Sequence, residues 1–283
     1  MNSLKVIAAM LCIATFGLTT SCDKDNEDDS SVENNETNTG KHLVKRTVVD
    51  VEETWINNNS NAGEDGYTDE FVWSGNHLVK WKDGRYGVEV YFNYTGDNVI
   101  SASDGQGSVE FTYEENMLTK MIDGNNVTTV QYDETGSIAY ITRVNNDDDN
   151  PTPHPISFTW DNGNLTGVTR QGDDYEMHTT YYEYDTKACA FVGFPLAYFM
   201  VNDFGRGRTS GFGRSNVTPF VSKNNPTSCS DAGRYGYVYQ YEGDYPISAI
   251  SNKYTQTDFD GYDSIVFYTI TYFEYDDGTG RRD

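Results

Sequence analysis

The sequence predicts an all-β domain: an antiparallel up-and-down meander of repeated hairpins that curls into a barrel or half-barrel. The first observation is an internal repeat, in which an aromatic residue is followed by a turn and then by two mostly apolar positions three residues apart. The second is that the segments between the turns are short and rich in aromatic and β-branched residues, which is typical of strands. Because so many strands seldom stay flat in one open sheet, we expect the sheet to curl.

The repeat runs through five successive units and returns once near the C-terminus. The units are FVWSGNHLVKW, FNYTGDNVISA, FTYEENMLTKM, VQYDETGSIAYI and FTWDNGNLTGV. Their aromatic positions are Trp73, Tyr94, Tyr113, Tyr132 and Trp160, and the apolar pairs are Leu78 and Trp81, Val99 and Ala102, Leu118 and Met121, Ile138 and Ile141, and Leu165 and Val168. A late copy, YQYEGDYPISAI, aligns Tyr241, Ile247 and Ile250 with these positions. Consecutive hairpins of this kind pair with their neighbours, which gives a meander.

The links between units contain residues that favour tight turns. Three of them are Asp83-Gly84, Asp104-Gly105 and Asp123-Gly124, and Asp-Gly supplies the positive φ angles of tight hairpin turns. The three-residue step from Leu118 to Met121 breaks the strict alternation of a strand. Either a β-bulge lies there or both faces of the sheet are partly covered.

The repeat is interrupted between about residues 186 and 234. An apolar run over 189–201, CAFVGFPLAYFMV, is expected to form a buried strand or a short helix that plugs one end of the sheet, with Pro195 limiting any helix. Cys189 and Cys229 form a candidate disulfide, and the alternative is two separate buried thiols.

The N-terminus has the features of a lipoprotein signal peptide over residues 1–21. Lys5 provides the positive charge, residues 6–18 an apolar run too short to span a bilayer, and residues 19–21 a small-residue cleavage zone. Cys22 then resembles the lipid-modified cysteine of a lipobox. Residues 22–42 are acidic and nearly devoid of apolar side chains, so we expect a flexible tether, with residues 43–283 as a single β-rich domain.

Charge and motifs narrow the classes of function. The formal net charge of −24 argues against nucleic acid as a partner, because binding phosphates requires clustered lysine and arginine. The chain has no HExxH, GxSxG, P-loop or CxxC motif, so an enzyme is the less expected reading. The many carboxylates nevertheless leave a glycosidase-like pair open.

Two sets of side chains are candidates for ligand binding. Asp258, Asp260 and Asp263 in TDFDGYDS offer clustered oxygens to a calcium ion, with a solvated turn as the alternative, and no other cofactor is expected. Trp73, Trp81 and Trp160 are candidate ligand-facing rings that would stack on sugars. Their alternative role is structural, as cross-strand partners in the sheet.

The units YDETGSIAYI and FTWDNGNLTGV resemble YD repeats of Rhs type, although most copies lack the Asp-x-x-Gly-Arg core of those repeats. The whole arrangement resembles a family of Bacteroidetes surface lipoproteins of unknown function with a porin-like β fold, and CDKDNEDD resembles the export signal of such lipoproteins. The resemblance implies a lipid-anchored outer-membrane protein that faces the cell surface, with the periplasmic face as the alternative. We expect a non-enzymatic protein that binds a glycan, peptide or protein, and the alternative is a glycan-active hydrolase with a carboxylate pair in the barrel mouth.

Overall fold

A computed structural model describes residues 41–56, 59–145, 154–171, 175–204, 221–230, 236–259 and 262–276. These residues form 17 β-strands and one α-helix. The strands are β1 (Leu43–Ile56), β2 (Asn59–Ser74), β3 (His77–Asp83), β4 (Val88–Thr95), β5 (Asn98–Ser103), β6 (Ser108–Glu114), β7 (Met117–Asp123), β8 (Asn126–Tyr132), β9 (Ile138–Asn145), β10 (His154–Asp161), β11 (Asn164–Gln171), β12 (Met177–Ala188), β13 (Asn224–Cys229), β14 (Tyr237–Glu242), β15 (Tyr245–Ser251), β16 (Tyr254–Phe259) and β17 (Tyr262–Tyr275), and the helix α1 spans Leu196–Phe204.

The strands form one antiparallel sheet that nearly closes on itself. Each strand from β1 to β12 pairs with the next one along the chain. Strand β14 pairs with β15, both β15 and β16 pair with β17, and β17 returns to β1. The contact between β13 and β14 is a single bridge from Ser228 to Gly236. The predicted meander curled into a barrel is therefore confirmed.

Every repeat unit contains a β-bulge. Tyr113 pairs with Leu118 and Thr112 pairs with Lys120, so Thr119 is an extra residue in β7. The extra residue reverses the alternation, and both Leu118 and Met121 consequently point into the core. Equivalent register shifts precede the repeat aromatics Trp73, Tyr94, Tyr132, Trp160 and Tyr241. The bulge is thus the correct alternative for the three-residue step.

The predicted alignment of the late copy of the repeat is wrong by one residue. Pro246 and Ala249 occupy its buried positions, whereas Ile247 and Ile250 are exposed. The reason is the same bulge, because Tyr241 pairs with Pro246 and leaves Ile247 as the extra residue.

The aromatic residues Tyr94, Tyr132 and Trp160 each donate a hydrogen bond to a carbonyl of the unit before. The Tyr94 hydroxyl donates to the Leu78 carbonyl at 3.0 Å, and the Tyr132 hydroxyl to the Leu118 carbonyl at 2.9 Å. Tyr184 bonds the Leu165 carbonyl in the same way, at 2.6 Å. Burial raises the pKa of Tyr94 to about 12, so this hydroxyl remains a donor at neutral pH. We call this series of bonds the aromatic ladder.

The Asp-Gly links differ in what their glycines do. Gly105 and Gly124 have positive φ angles of 79° and 57°, as predicted. In the first link the positive φ falls on Gly87 instead, at 66°. Gly84 is required there for another reason: a Cβ at this position would lie 1.9 Å from the Thr68 carbonyl oxygen.

The apolar run that interrupts the repeat fills the interior of the sheet. Its second half is α1, which begins directly after Pro195, so the helical alternative is correct. Pro195 suits this position because a proline at the start of a helix removes no hydrogen bond. The Phe194 ring packs edge-on against Phe71 at 4.9 Å between centroids, and Tyr198 packs against Trp81 at 5.2 Å. We call residues 189–204 the plug.

One ion pair is buried inside the sheet, next to the plug. Arg46 of β1 donates to the carboxylate of Asp69 in β2, and both side chains are almost fully enclosed. The other carboxylate oxygen of Asp69 accepts from the Gly84 amide at 3.0 Å. The pair therefore joins β1, β2 and the link between β3 and β4. No helix in the described part of the chain is long and apolar enough to cross a membrane.

Candidate functional site

Three strands extend beyond the rest of the sheet. Strands β1, β2 and β17 contain 14, 16 and 14 residues, whereas β3 to β8 contain six to eight. Strand β2 pairs with β3 only from Glu70 onward, so its preceding residues pair with β1 alone. On the other side, β16 pairs with the first half of β17. This extension forms the walls of a large concave site.

The site is a groove with a volume of about 910 Å³. Alternation along β1 puts Asp50, Glu52 and Thr54 on the same face as the buried Arg46 and Val48. The groove therefore continues the inner face of the sheet past the end of the core. Its lining consists of Asp50, Val51, Glu52, Thr54, Ala62, Gly63, Glu64, Asp65, Ser251, Asn252, Tyr254, Gln256, Phe267, Tyr268 and Thr269.

The groove is acidic. Asp50, Glu52 and Asp65 lie on its inner face with exposed side chains, and its lining contains no lysine, arginine or histidine. Glu64, a fourth acid of the lining, pairs with Val51 and so lies on the same face of the sheet as Glu53. Asp50 and Asp65 are direct cross-strand partners in β1 and β2, which places their Cβ atoms about 5 Å apart. One oxygen of Asp50 accepts from the Thr269 hydroxyl at 2.9 Å, which holds this carboxylate against β17.

The groove also carries a pair of aromatic rings. Tyr254 of β16 and Phe267 of β17 are cross-strand partners, and their rings stack with centroids 6.4 Å apart and planes 25° apart. Both rings are half-buried, so each still presents surface to solvent. Together they form an apolar patch beside the carboxylates.

The neighbouring wall is held by a polar cluster. The Tyr268 hydroxyl donates to Glu53 at 3.0 Å, and the Lys253 ammonium lies 3.6 Å from the same carboxylate. This ammonium also lies 4.5 Å from the centre of the Tyr268 ring. Glu53 follows Glu52 in β1 and points to the opposite face, so Lys253 neutralises a carboxylate behind the groove.

The three predicted ligand-facing tryptophans belong to the core, which corrects that assignment. Trp81 is only 3% exposed and contacts the Tyr198 ring of the plug. Trp73 and Trp160 are half-buried and pack against the core. Their indole N–H groups are used in the aromatic ladder, donating to the Leu43 carbonyl at 2.9 Å and the Ile138 carbonyl at 2.7 Å.

The candidate disulfide between Cys189 and Cys229 is not formed, and both residues are thiols. The Cys189 amide donates to the Lys223 carbonyl at one end of β13, whereas Cys229 pairs with Tyr182 at its other end. At about 3.3 Å per residue the two positions are roughly 16 Å apart, beyond the reach of a disulfide. Cys189 is fully buried, and burial raises the pKa of its thiol to about 12. Cys229 is half-buried.

The remaining predicted site residues lie outside the described part of the chain. These are Cys22 and the side chains of the calcium candidates Asp258, Asp260 and Asp263. Within the described residues, no group of three or more His, Cys, Asp or Glu side chains is arranged to hold a metal ion.

The residues of the groove were not singled out from the sequence. Asp50 and Asp65 are two acids among 44, and only the register of β1 against β2 brings them opposite each other. The sequence feature that could have indicated the groove is the alternation of β1. A valine-rich stretch there is followed by Asp50, Glu52 and Thr54 at the inward-facing positions.

Comparisons with known proteins give matches among solved structures alone. No family model matches the chain, and no curated protein matches it. A porin-like protein from Bacteroides uniformis is 14% identical, with a TM-score of 0.45 over 83% of this chain and 98% of that one. A porin-like protein from Bacteroides vulgatus is 12% identical, with a TM-score of 0.42 over 84% of this chain and 100% of that one.

Proposed function

We propose that this chain is a non-enzymatic, lipid-anchored protein of the bacterial outer membrane that captures glycans at the cell surface. The observation that carries the proposal is the groove, which combines the ring pair of Tyr254 and Phe267 with three carboxylates on the same face, those of Asp50, Glu52 and Asp65. Ionised carboxylates only accept hydrogen bonds, and sugar hydroxyls are donors. The ring pair provides an apolar surface on which the apolar face of a sugar can stack.

The dimensions of the groove suit this ligand class. Its volume of about 910 Å³ falls within the range of sites that bind small ligands. Its acidic lining disfavours anionic ligands such as nucleic acid, which agrees with the net charge of −24. A neutral or positively charged oligosaccharide therefore fits better than an anionic one.

The position of the groove supports display away from the membrane. The chain enters the sheet at His42, whose ring stacks on Trp73 at 4.3 Å, and Trp73 packs against Phe194 of the plug. The first described residues of the chain therefore lie at the end of the sheet where Trp73 packs against Phe194. Asp50 lies farther along β1, roughly 26 Å away at about 3.3 Å per residue. A lipid at Cys22 would leave the groove on the side remote from its attachment.

The outward face of the sheet favours a lipid anchor as the attachment. Lys82 pairs with Glu70 at 2.7 Å, and Lys80 with Glu89 at 2.6 Å, across β2, β3 and β4. These charged side chains surround a packed interior. A barrel that spans a membrane has the reverse arrangement, with an apolar band facing lipid.

One observation favours a second function, glycan hydrolysis. Asp50 and Asp65 face each other directly across β1 and β2. Retaining glycosidases use two carboxyl groups about 5 Å apart, one as nucleophile and one as acid and base. The groove therefore contains the elements of the alternative, and the test must separate capture from turnover.

The test uses the lipid-free mature chain, residues 22–283 with Cys22→Ser, on a glycan array followed by calorimetry. We expect binding to glycans, weakened at least about tenfold by Tyr254→Ala, because roughly 1.4 kcal/mol of stacking is lost. Tyr181→Ala is the matched control, since that tyrosine is 63% exposed on β12, outside the groove. Absence of glycan binding would contradict the proposal. Release of reducing ends that Asp50→Asn abolishes would replace capture with hydrolysis.

A further inference from the structure

We infer that the groove takes glycans with free amino groups, so that its ligand is a cationic amino-sugar oligomer. This inference rests on the proposed function and specifies its ligand class. It follows from one juxtaposition: the ring pair of Tyr254 and Phe267 lies in the same groove as two carboxylates that face each other across the sheet.

The first step concerns the cost of the carboxylates to the fold. Asp50 and Asp65 are direct cross-strand partners, and like charges in that position destabilise a sheet. Glu52 adds a third charge two residues along the same face. Asp50 and Asp65 each accept one hydrogen bond within the extension, from the Thr269 hydroxyl at 2.9 Å and the Gly66 amide at 2.7 Å, and neither bond neutralises the charge. A ligand that brings positive charge would offset the repulsion on binding.

The second step concerns the protein's own cations. Lys253 is the basic residue adjacent to the lining residue Asn252, and its ammonium is directed to Glu53 and the Tyr268 ring. The groove lining itself has four acids and no basic side chain. In a concave site with low-dielectric walls such a charge distribution concentrates the negative potential and attracts cations.

The third step concerns the shape of the cation. An ammonium group is attracted to an aromatic face within about 6 Å of the ring centre, and a pyranose also has an apolar face that stacks on rings. An amino sugar combines both features with hydroxyl groups that donate to carboxylates. A flexible basic peptide brings the charge without a flat ring-sized face, so the ring pair favours the amino sugar.

The experiment compares two probes with the same sugar backbone and linkage, one with free amino groups and one with acetylated amino groups. These are the hexamer of β-1,4-linked glucosamine and the fully N-acetylated hexamer of the same linkage, titrated calorimetrically into the lipid-free mature chain at pH 6. At low salt we expect the amine hexamer to bind at least about tenfold more tightly than the acetylated one. In 0.5 M salt this preference should shrink, because exposed charges are screened.

Variants test whether the preference for the amine hexamer depends on the carboxylates of the groove. Asp50→Asn with Asp65→Asn should reduce the preference to less than about threefold, because neutral amides no longer attract the amine. Glu52→Gln is a second, single-site variant with a smaller effect in the same direction. The matched control, Glu110→Gln with Glu114→Gln, removes two exposed acids of β6 outside the groove and should leave the preference unchanged. Circular dichroism checks that each variant is folded.

The outcomes separate this inference from the proposed function. Equal or tighter binding of the acetylated hexamer would overturn the inference and leave glycan capture intact. Tighter binding of hexalysine than of the amine hexamer would also overturn it, because charge alone would then select the ligand. Failure of both hexamers, together with an empty glycan array, would reject the proposed function itself.

Discussion

The aromatic residue of each repeat has both a packing role and a bonding role. Its ring lies against the core, and its polar atom donates to the carbonyl of the apolar residue in the preceding unit, as Tyr132 does to Leu118. Tyrosine and tryptophan both serve because each combines a large apolar ring with one donor. Phenylalanine would fill the volume and leave a carbonyl without its bond. This explains why the five units carry tyrosine or tryptophan at this position.

The aromatic ladder can be tested at Tyr132. The change Tyr132→Phe keeps the ring and removes the 2.9 Å bond to Leu118, so we expect the free energy of unfolding to fall by about 1 kcal/mol. Urea denaturation followed by circular dichroism measures the difference. The control is Tyr140→Phe, since Tyr140 is half-exposed on β9 and outside the ladder. Equal effects of the two changes would show that the bond contributes no specific stability.

At the scale of elements, the links between hairpins combine turn formation with attachment to a neighbouring strand. The link that follows β3 is closed by Asp83, whose carboxylate accepts from the Arg85 and Tyr86 amides at 2.9 and 3.2 Å. Gly84 in the same link passes directly over the backbone of Thr68 and donates to Asp69. The extension of β1 and β2 that forms the groove is therefore braced at its base by this link.

Because this link braces the extension, we expect Gly84→Ala to lower the free energy of unfolding substantially. The added Cβ would meet the Thr68 carbonyl oxygen at 1.9 Å, and backbone must move because no flexible side chain can yield. We expect a loss of about 3 kcal/mol in the free energy of unfolding, measured by thermal and urea denaturation. Gly124→Ala is the control, because its Cβ would meet nothing within 4 Å and only the φ of 57° is unfavourable. Its loss should be about 1 kcal/mol, so a Gly84→Ala loss no larger than this would refute the bracing role.

At the scale of the whole molecule, the first residues of the sheet and the groove lie at different positions along β1. His42 lies next to Trp73, which packs against Phe194, and the groove begins at Asp50 on the extension. A protein held by a lipid at Cys22 would use this separation to expose the groove to the medium.

The anchoring arrangement is tested by Cys22→Ser in the expressed full-length precursor. We expect the variant to leave the membrane fraction, because several acyl chains provide the attachment and each buried CH₂ contributes about 0.8 kcal/mol. Cys12→Ser, inside the leader, is the matched control and should stay with the membrane. Protease treatment of intact cells should remove the unmodified protein from the surface. Protection in intact cells but not in lysed cells would place the domain on the periplasmic face.

The local pattern of the sequence was sufficient for the hairpins. The spacing of Tyr113, Leu118 and Met121 predicted a strand, a turn and a bulge, because all three features depend on residues close together in the chain. The predicted alignment of the late copy was wrong by one residue for a related reason. Ile247 is apolar, and only the pairing of Tyr241 with Pro246 shows which position is buried. The prediction that the tryptophans face a ligand was wrong because their exposure depends on the plug, which lies far from Trp73 and Trp81 in sequence.

The sequence by itself determined the all-β meander, its repeat and its bulges, since alternation, turn residues and spacing are local properties. Tertiary structure decided three things. It chose a helix for the second half of the apolar run, separated Cys189 from Cys229, and assembled the groove from β1, β2, β16 and β17. These depend on pairings such as Asp50 with Thr269, between residues far apart in the chain. A local pattern contains no information on such registers, because they are set by closing the whole sheet.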